Sequence, residues 1–304
     1  MPEVKKIIID ENISGQRLDN FLLNKLKGVP KSKIYSIIRK GEIRINSKRK
    51  KPSYKLINGD EVRVPPIKTS KKENQFIPSN VIALLKDAIV EENEDYIAIN
   101  KPEGIASHGG SGISIGVIEA IRNFGKAYRE AKLVHRLDKD TSGCQLIAKN
   151  NKFLRRCNKL ISERQVQKTY QAVVHGNWIH KDGLHEINIK KNMLVGKERM
   201  VKISEGGKIA KTFFQAVESS KHFSLVECEL VTGRTHQLRV HLSELGFPIV
   251  GDIKYGIKEG QLIKDSDHKK RMYLHANSFV SEDLNIHLRV EPPKEFKKIL
   301  KNDE

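Results

Sequence analysis

Cysteine is scarce in this chain. Cys144, Cys157 and Cys228 are odd in number, widely spaced and form no CxxC pair among 304 residues. That excludes a disulfide framework and a structural zinc site, and it reads as buried or idle thiols in a reducing cytosol. Long apolar runs are missing too. No stretch approaches the roughly 20 apolar residues of a membrane span. The opening MPEVKKIIIDEN has too brief an apolar run, and no small-residue cleavage site, for a signal peptide. The chain contains no P-loop GxxxxGK(S/T), no HExxH spacing and no internal repeat. Acidic residues are in deficit: 37 Asp and Glu face 56 Lys and Arg, for a net charge of +19. Such an excess points to a polyanionic partner: nucleic acid, ribosome or membrane surface, the last without an anchor here.

The excess is not evenly spread. Residues 1–72 hold 19 Lys and Arg against 7 Asp and Glu, a net +12. After residues 1–13, a short strand or arm, Leu18, Leu22 and Leu26 recur at helical spacing with Phe21 beside them. Ser32 can cap a second helix carrying Ile34, Ile37 and Ile38, which Gly41 ends. Ile43 and Ile45 then alternate with polar residues, and Asn58-Gly59-Asp60 turns into Val62-Arg63-Val64, a hairpin pattern. Residues 65–80 keep no periodicity, carry Pro65-Pro66 and Pro78, and read as a linker. Two modules so joined, each meeting part of one polyanion, would raise the effective concentration at the second site.

From Val81 the pattern changes to alternating strands and helices. YIAIN reads as a strand running into the turn Lys101-Pro102-Glu103-Gly104, and Ser114 can cap a helix with Val117, Ile118 and Ile121 on its buried side. Asn150 or Asn151 can cap another, striped with Phe153, Leu154, Cys157, Leu160 and Ile161. Strands follow at Lys168–Val174 and Leu225–Leu230, and a short helix carries Leu238, Leu242 and Leu245 before Gly246 and Pro248. Residues 176–211 look like loops and hairpins that touch a polyanion through Lys190, Lys191, Lys197 and Arg199. Met272 to Val290 reads as strands, with a last helix near Lys294 to Leu300.

The densest chemistry lies in LVHRLDKDTSGCQLIAKN, Leu133 to Asn150. A charged loop between two apolar segments is how a scaffold presents reactive side chains. Asp138 sits there between Arg136 and Lys139, and a carboxylate among cations is an ionised acceptor, suited to a nucleophile or base rather than a general acid. Taken alone, the charges also fit a solvated turn.

The order of residues 135–143, HRLDKDTSG, resembles the HRLD-x-x-TSG motif of the RluA-type pseudouridine synthases. YIAINKPEG resembles the same family's K-P-x-G motif, Lys168-Thr169-Tyr170 its K-x-Y motif, and GRTHQLRVH (233–241) the motif that follows, with Gly251-Asp252 and Tyr255-Gly256 as a GD-x-x-YG pair. ASHGGSGISIGVIEAIR (106–122) is similar to the large-subunit rRNA branch of that family. Residues 14–64 resemble the S4 RNA-binding domain through GQRLDNFL and INGDEVRV.

The resemblance implies an α+β protein: arm 1–13, an S4-like module of helices plus hairpin over 14–64, linker 65–80, and a catalytic domain over 81–304 with a mixed, mainly antiparallel sheet flanked by helices. It implies isomerisation of uridine to pseudouridine in large-subunit (23S-type) ribosomal RNA, on the RNA or on pre-ribosomal particles. The enzyme would work in the cytoplasm as a monomer, with neither cofactor nor metal. Asp138 would be the catalytic carboxylate and Arg239 its partner. Tyr170 would stack on the extruded uracil and assist proton removal at C5. Leu238 would line the base pocket, Arg136 fill the vacated stack and His135 meet the phosphodiester, with Arg234 and Lys168 as further RNA contacts.

Three other readings compete with this one. Gly112-Ile113-Ser114-Ile115-Gly116 satisfies G-x-S-x-G, the nucleophile elbow of α/β hydrolases, but a Gly/Ser-rich loop precedes it where an elbow needs a buried strand. A tRNA substrate is an alternative to rRNA. A non-catalytic S4-type rRNA-binding or assembly protein is another, and it predicts damage at Asp138, Tyr170 or Arg239, all of which are intact.

Overall fold

The computed structural model describes residues 4–26, 28–67, 77–109, 115–179, 181–195, 198–256 and 271–303. The chain divides into two compact units, Met1–Phe76 and Ile77–Glu304.

In the first unit, helices α1 (Leu18–Lys25) and α2 (Lys31–Arg39) accompany a three-stranded sheet of β1 (Lys5–Ile8), β2 (Arg44–Ile45) and β3 (Glu61–Val64), in the order β1-β3-β2. Of residues 1–13, read as a short strand or arm, Lys5–Ile8 is a strand that pairs antiparallel with Glu61–Val64, and Ile9 is fully buried. The apolar periodicity of both helices meets this sheet, and Leu18, Phe21, Leu22, Ile34, Ile37, Ile43, Ile45 and Val62 form one core. The second helix begins earlier than expected, with Pro30 before its first residue and Ser32 inside it, because proline suits a helix start. Gly41 ends it in the left-handed conformation at φ 72°.

The second unit is built on an 11-stranded sheet. Its strands are β4 (Ile89–Glu92), β5 (Tyr96–Lys101), β6 (Lys132–Leu133), β7 (Ser142–Ala148), β8 (Gln167–His175), β9 (Gly183–Val195), β10 (Glu198–Ile203), β11 (Lys208–Ser219), β12 (Phe223–Leu230), β13 (Leu274–Ser281) and β14 (Ile286–Arg289). The path runs β10-β9-β11-β12-β8-β13-β7-β5-β4, with β14 on β13 and β6 on β7. The β7–β13 pair is parallel and the other pairs are antiparallel. Within residues 176–211, expected as loops and hairpins, the long strand β9 and all of β10 pair antiparallel as a hairpin, and the start of β11 follows. Their apolar positions alternate too sparsely to advertise a strand, and cross-strand pairing supplies the order that periodicity does not announce.

Both sides of the central strands are covered, which explains their near-continuous apolar runs. On β5, Tyr96 and Ala98 face helix α5 (Asn151–Ser162), packing with Phe153, Cys157 and Leu160. Ile97 and Ile99 face the other way, toward Leu85 of α3 (Ser79–Asp87) and Val117, Ile118 and Ile121 of α4 (Val117–Ile121). Across the parallel pair the scheme repeats. Tyr170, Ala172 and Val174 of β8 meet Leu238 and Leu242 of α6 (Gln237–Glu244), while Val173 meets Phe296 and Ile299 of α7 (Glu295–Lys301).

Helix α5 is capped by Asn150, whose side chain accepts from Phe153 N at 2.9 Å. The expected cap Ser114 lies outside the described residues. Helix α4 starts after Gly116, and Glu119 accepts the amide protons of Gly109 and Gly116 at 2.8 and 3.1 Å. Helix α3 begins at Ser79, inside the segment read as a linker, and residues 68–76 of that segment lie outside the described residues.

One register row crosses the middle of the sheet: Cys228, Tyr170, Ala276, Gly143 and Lys101 are successive Cα partners. Gly143 sits at φ 109°, and a Cβ there would lie 2.2 Å from Ala276 O and 2.6 Å from Ala276 N. The parallel strands meet at this point because the residue has no side chain. Gly143→Ala is therefore expected to lower stability by more than about 3 kcal/mol in denaturant unfolding. A loss below about 0.5 kcal/mol, the scale of a neutral surface change, would contradict this packing.

Candidate active site

The loop 134–141 enters β7 at the parallel pair, and hydrogen bonds from three sides hold it. Ser107 Oγ donates to Leu137 O at 2.7 Å and accepts Leu137 N–H at 2.9 Å. Gln145 Nε2 donates to the same hydroxyl at 2.8 Å. Lys101 is fully buried, and its Nζ donates to Pro102 O, Ile105 O and Lys139 O at 2.7, 2.7 and 3.0 Å. Burial pushes this ammonium down to about 7 against the pull of Asp140, Asp138 and Glu103. The K-P-E-G turn and the charged loop are thus joined by one cation satisfied by carbonyls.

Between these anchors Asp138 is presented with its side chain 30% exposed. Oδ2 accepts from Arg239 Nη1 at 3.1 Å. Arg239, the expected partner of Asp138, is only 8% exposed. Its other edge forms a fork with Asp252: Nε to Oδ2 at 2.7 Å and Nη2 to Oδ1 at 2.8 Å. Asp252 Oδ1 also accepts the amide protons of Lys254 and Tyr255 at 2.9 and 3.0 Å. Burial works to raise its carboxyl, but the Arg239 bonds and charge, with those amides, hold it below the usual carboxylate range. The fork raises the Arg239 guanidinium above its ordinary value despite burial.

Tyr170 lines the same cleft as Asp138, as do Arg136, Lys168, Lys191 and Arg234. The cleft measures about 1240 Å³, and a smaller recess beside Asp138 adds Leu238, Arg239 and Leu274. Tyr170 is 8% exposed, and burial pushes its phenol up, with the Asp138 charge adding to that. Burial lowers the Lys168 ammonium. Arg136 is exposed, and its Nη1 donates to His108 Nε2 at 3.4 Å. Arg234 is exposed and braced by Nε to Ile209 O at 3.1 Å.

His135, expected at a phosphodiester, lines the cleft as well and is held from behind. Its Nε2 accepts Leu146 N–H at 3.1 Å, and its ring stacks on Phe279 with centroids 5.3 Å apart. Burial, with Lys168 adding, pushes it down to about 3, so it is a neutral acceptor that pins the loop to β7. Lys190 and Lys191 are exposed. Lys197 and the side chain of Arg199, expected as further RNA contacts, lie outside the described residues.

Sequence reading missed Lys101, Ser107, Gln145, His236 and Asp252 as parts of the site. Lys101, His236 and Asp252 lay within recognised motifs, but their tasks depend on distant neighbours. Lys101 binds a carbonyl 38 residues away, and Asp252 shares an arginine whose other partner is 101 residues from it. Among the described residues, no group of three His, Cys, Asp or Glu could hold a metal, and no helix is long and apolar enough to cross a membrane.

Asp138 thus stands in a cleft lined by basic side chains, bonded to a buried arginine and sharing the wall with a buried tyrosine. Residues 95–244 match the RNA pseudouridylate synthase family and residues 16–62 the S4 domain. The chain belongs to that family: it is a pseudouridine synthase, an isomerase with an S4 domain. It is 43% identical over 307 residues to ribosomal large subunit pseudouridine synthase C of Salmonella typhi, covering 98% of this chain and 96% of that one. The Pasteurella multocida protein of the same name is 46% identical over 98% of this chain and 93% of its own length. Among solved structures, human RNA pseudouridylate synthase domain containing 4 matches with TM-score 0.61 and 26% identity, over 73% of this chain and 95% of that one.

Replacing Asp252 by Asn strips a buried guanidinium of its bidentate charged partner, leaves it the single Asp138 contact, and should cost about 3 kcal/mol, the low end for a broken buried pair. Asp252 is depressed when folded, so its contribution is complete above the ordinary carboxylate range and is lost as pH falls through its own lower value. The stability gap between wild type and Asp252→Asn, measured by urea unfolding, should therefore narrow on acidification. A gap that widened would reverse the sign of this account.

Proposed function

We propose that this enzyme isomerises specific uridines in large-subunit, 23S-type ribosomal RNA, with Asp138 as the reacting carboxylate. The observation that carries the reading is the Asp138–Arg239 contact at 3.1 Å on the wall of a cleft shared with Tyr170. The names of the full-length relatives supply the substrate. The basic S4 module supports it, because net +12 over residues 1–72 suits phosphates gripped without base reading.

The reaction detaches uracil from ribose, turns it and rejoins it through C5 in place of N1. Bond count and redox state do not change, and the main barrier to access is taking the base out of its stack. Asp138 attacks the sugar or removes a proton as the glycosidic bond breaks, and the Arg239 charge compensates the carboxylate before the base arrives. Tyr170 offers its ring to the turned-out uracil, and Leu238 closes the recess beneath it. Exposed Arg136 is placed to occupy the vacated stack, while Lys168 and Arg234 meet the backbone. One chain carries all of these groups, which fits a monomer working in the cytoplasm on rRNA or pre-ribosomal particles.

Asp138→Asn should abolish pseudouridine formation on 23S-type rRNA while RNA affinity stays within a few-fold, since only the reacting oxygen's charge is removed. Retained turnover would take the role from Asp138. A site-by-site pseudouridine map of ribosomal RNA from cells with and without the gene tests the substrate, and losses confined to tRNA would replace rRNA by tRNA. Deleting residues 1–72 should weaken RNA binding and flatten its dependence on salt, because counterion release follows the number of phosphates neutralised. Equal salt slopes with and without the segment would contradict this.

A further inference from the structure

His236 and Tyr255 stand beside Asp138 with no task in the reading above. Asp138 Oδ2 accepts from Arg239 Nη1 at 3.1 Å and faces His236 Nε2 at 3.7 Å. Both groups thus address one carboxylate oxygen, and among the described residues Oδ1 has no hydrogen-bond donor. On the far side of the imidazole, Nδ1 lies 2.8 Å from Tyr255 Oη, which itself accepts Val201 N–H at 3.1 Å. With its oxygen engaged by Val201, the phenol has its own proton to give Nδ1. The Asp138 charge favours a proton on Nε2. Both effects select the same tautomer, with Nδ1 accepting and Nε2–H toward Asp138.

The backbone supports a dedicated role. His236 precedes α6 at φ 52°, a left-handed conformation, where an N-cap is ordinarily extended, and its side chain makes no capping bond. The ring that could have capped the helix is committed to Tyr255 and Asp138 instead. Burial holds the imidazole toward its neutral form. Of the charges facing it, Arg239 and Lys254 add to that, and Asp138 and Asp252 oppose it.

We propose that His236 is a positioning residue: its Nε2–H, fixed by Tyr255, holds Oδ2 of Asp138 together with Arg239 and leaves Oδ1 as the oxygen that meets the uridine. The proposal rests on the reading of Asp138 as the reacting carboxylate. At 3.7 Å the contact is a charge–dipole attraction longer than a hydrogen bond, and a small rotation of the carboxylate converts it into one.

Single-turnover rates and RNA affinities of His236→Gln, His236→Leu, Tyr255→Phe and the double variant His236→Gln/Tyr255→Phe, taken from about pH 5.5 to 8.5 across the histidine range, test it. The Gln amide nitrogen superposes on Nε2 and always carries protons, so His236→Gln should keep the rate within a few-fold. His236→Leu should lose about ten-fold or more in rate with affinity unchanged. Tyr255→Phe lets some rings turn a lone pair toward Asp138; its rate should fall several-fold at the alkaline end and recover as acid protonates both nitrogens. With His236→Gln already in place, Tyr255→Phe should cost nothing further. Nitrogen-15 NMR of the imidazole, assigned by its absence in His236→Gln, should report the Nε2–H tautomer without any need for turnover. A wild-type rate in His236→Leu, a Tyr255→Phe deficit that is equal at every pH or persists in the double variant, or an Nδ1–H tautomer would each overturn the proposal. Turnover by Asp138→Asn would instead overturn the underlying reading, and the NMR result distinguishes the two failures.

Discussion

A guanidinium removed from water must be surrounded by acceptors, and in this protein two carboxylates from distant parts of the chain supply them. Arg239 lies on α6, Asp252 thirteen residues later, and Asp138 in the loop before β7. The fork to Asp252 fixes the plane of the guanidinium, and the remaining nitrogen is then aimed at Asp138. A bidentate pair does this where a lysine could not, because its donors lie in one rigid plane. The position of Asp138 therefore depends on α6 packing against the β8 side of the sheet through Leu238 and Leu242.

The loop needs the same support from its other end. Lys101, Ser107 and Gln145 hold its backbone by bonds to carbonyls and an amide, and His135 pins it through Leu146. None of these side chains needs to touch a substrate. They make a polar loop rigid at a sheet junction where water is largely excluded, and each buried donor or acceptor left unmade would cost about 1–3 kcal/mol. Rigid placement of a charged group before the substrate arrives is what electrostatic catalysis requires.

Much of this was legible in advance. The residues of HRLDKDTSG and GRTHQLRVH marked Asp138 and Arg239, and the apolar run YIAIN anticipated a strand that the structure covers on both faces. The anchoring of His135 was not legible, because its partners in space, Phe279 and the Leu146 amide, are far from it in sequence. Residues 176–211 read as loops and hairpins, but the length of their strands was not legible, because their pattern is weakly apolar and pairing across β9, β10 and β11 orders them. Residues 1–13 read as a short strand or arm, and nothing nearby in sequence shows that Glu61–Val64 completes the hydrogen bonds of Lys5–Ile8.

The sequence by itself determined the strong basic imbalance, the helix and strand periodicities, and the residue types in each motif, because these are properties of neighbouring residues. The tertiary structure alone decided which oxygen of Asp138 is held, that Asp252 shares its arginine, and that Lys101 ends among three carbonyls. Those facts depend on distances between segments as far as 101 residues apart, and only the closing of the sheet at Gly143 and Ala276 sets them.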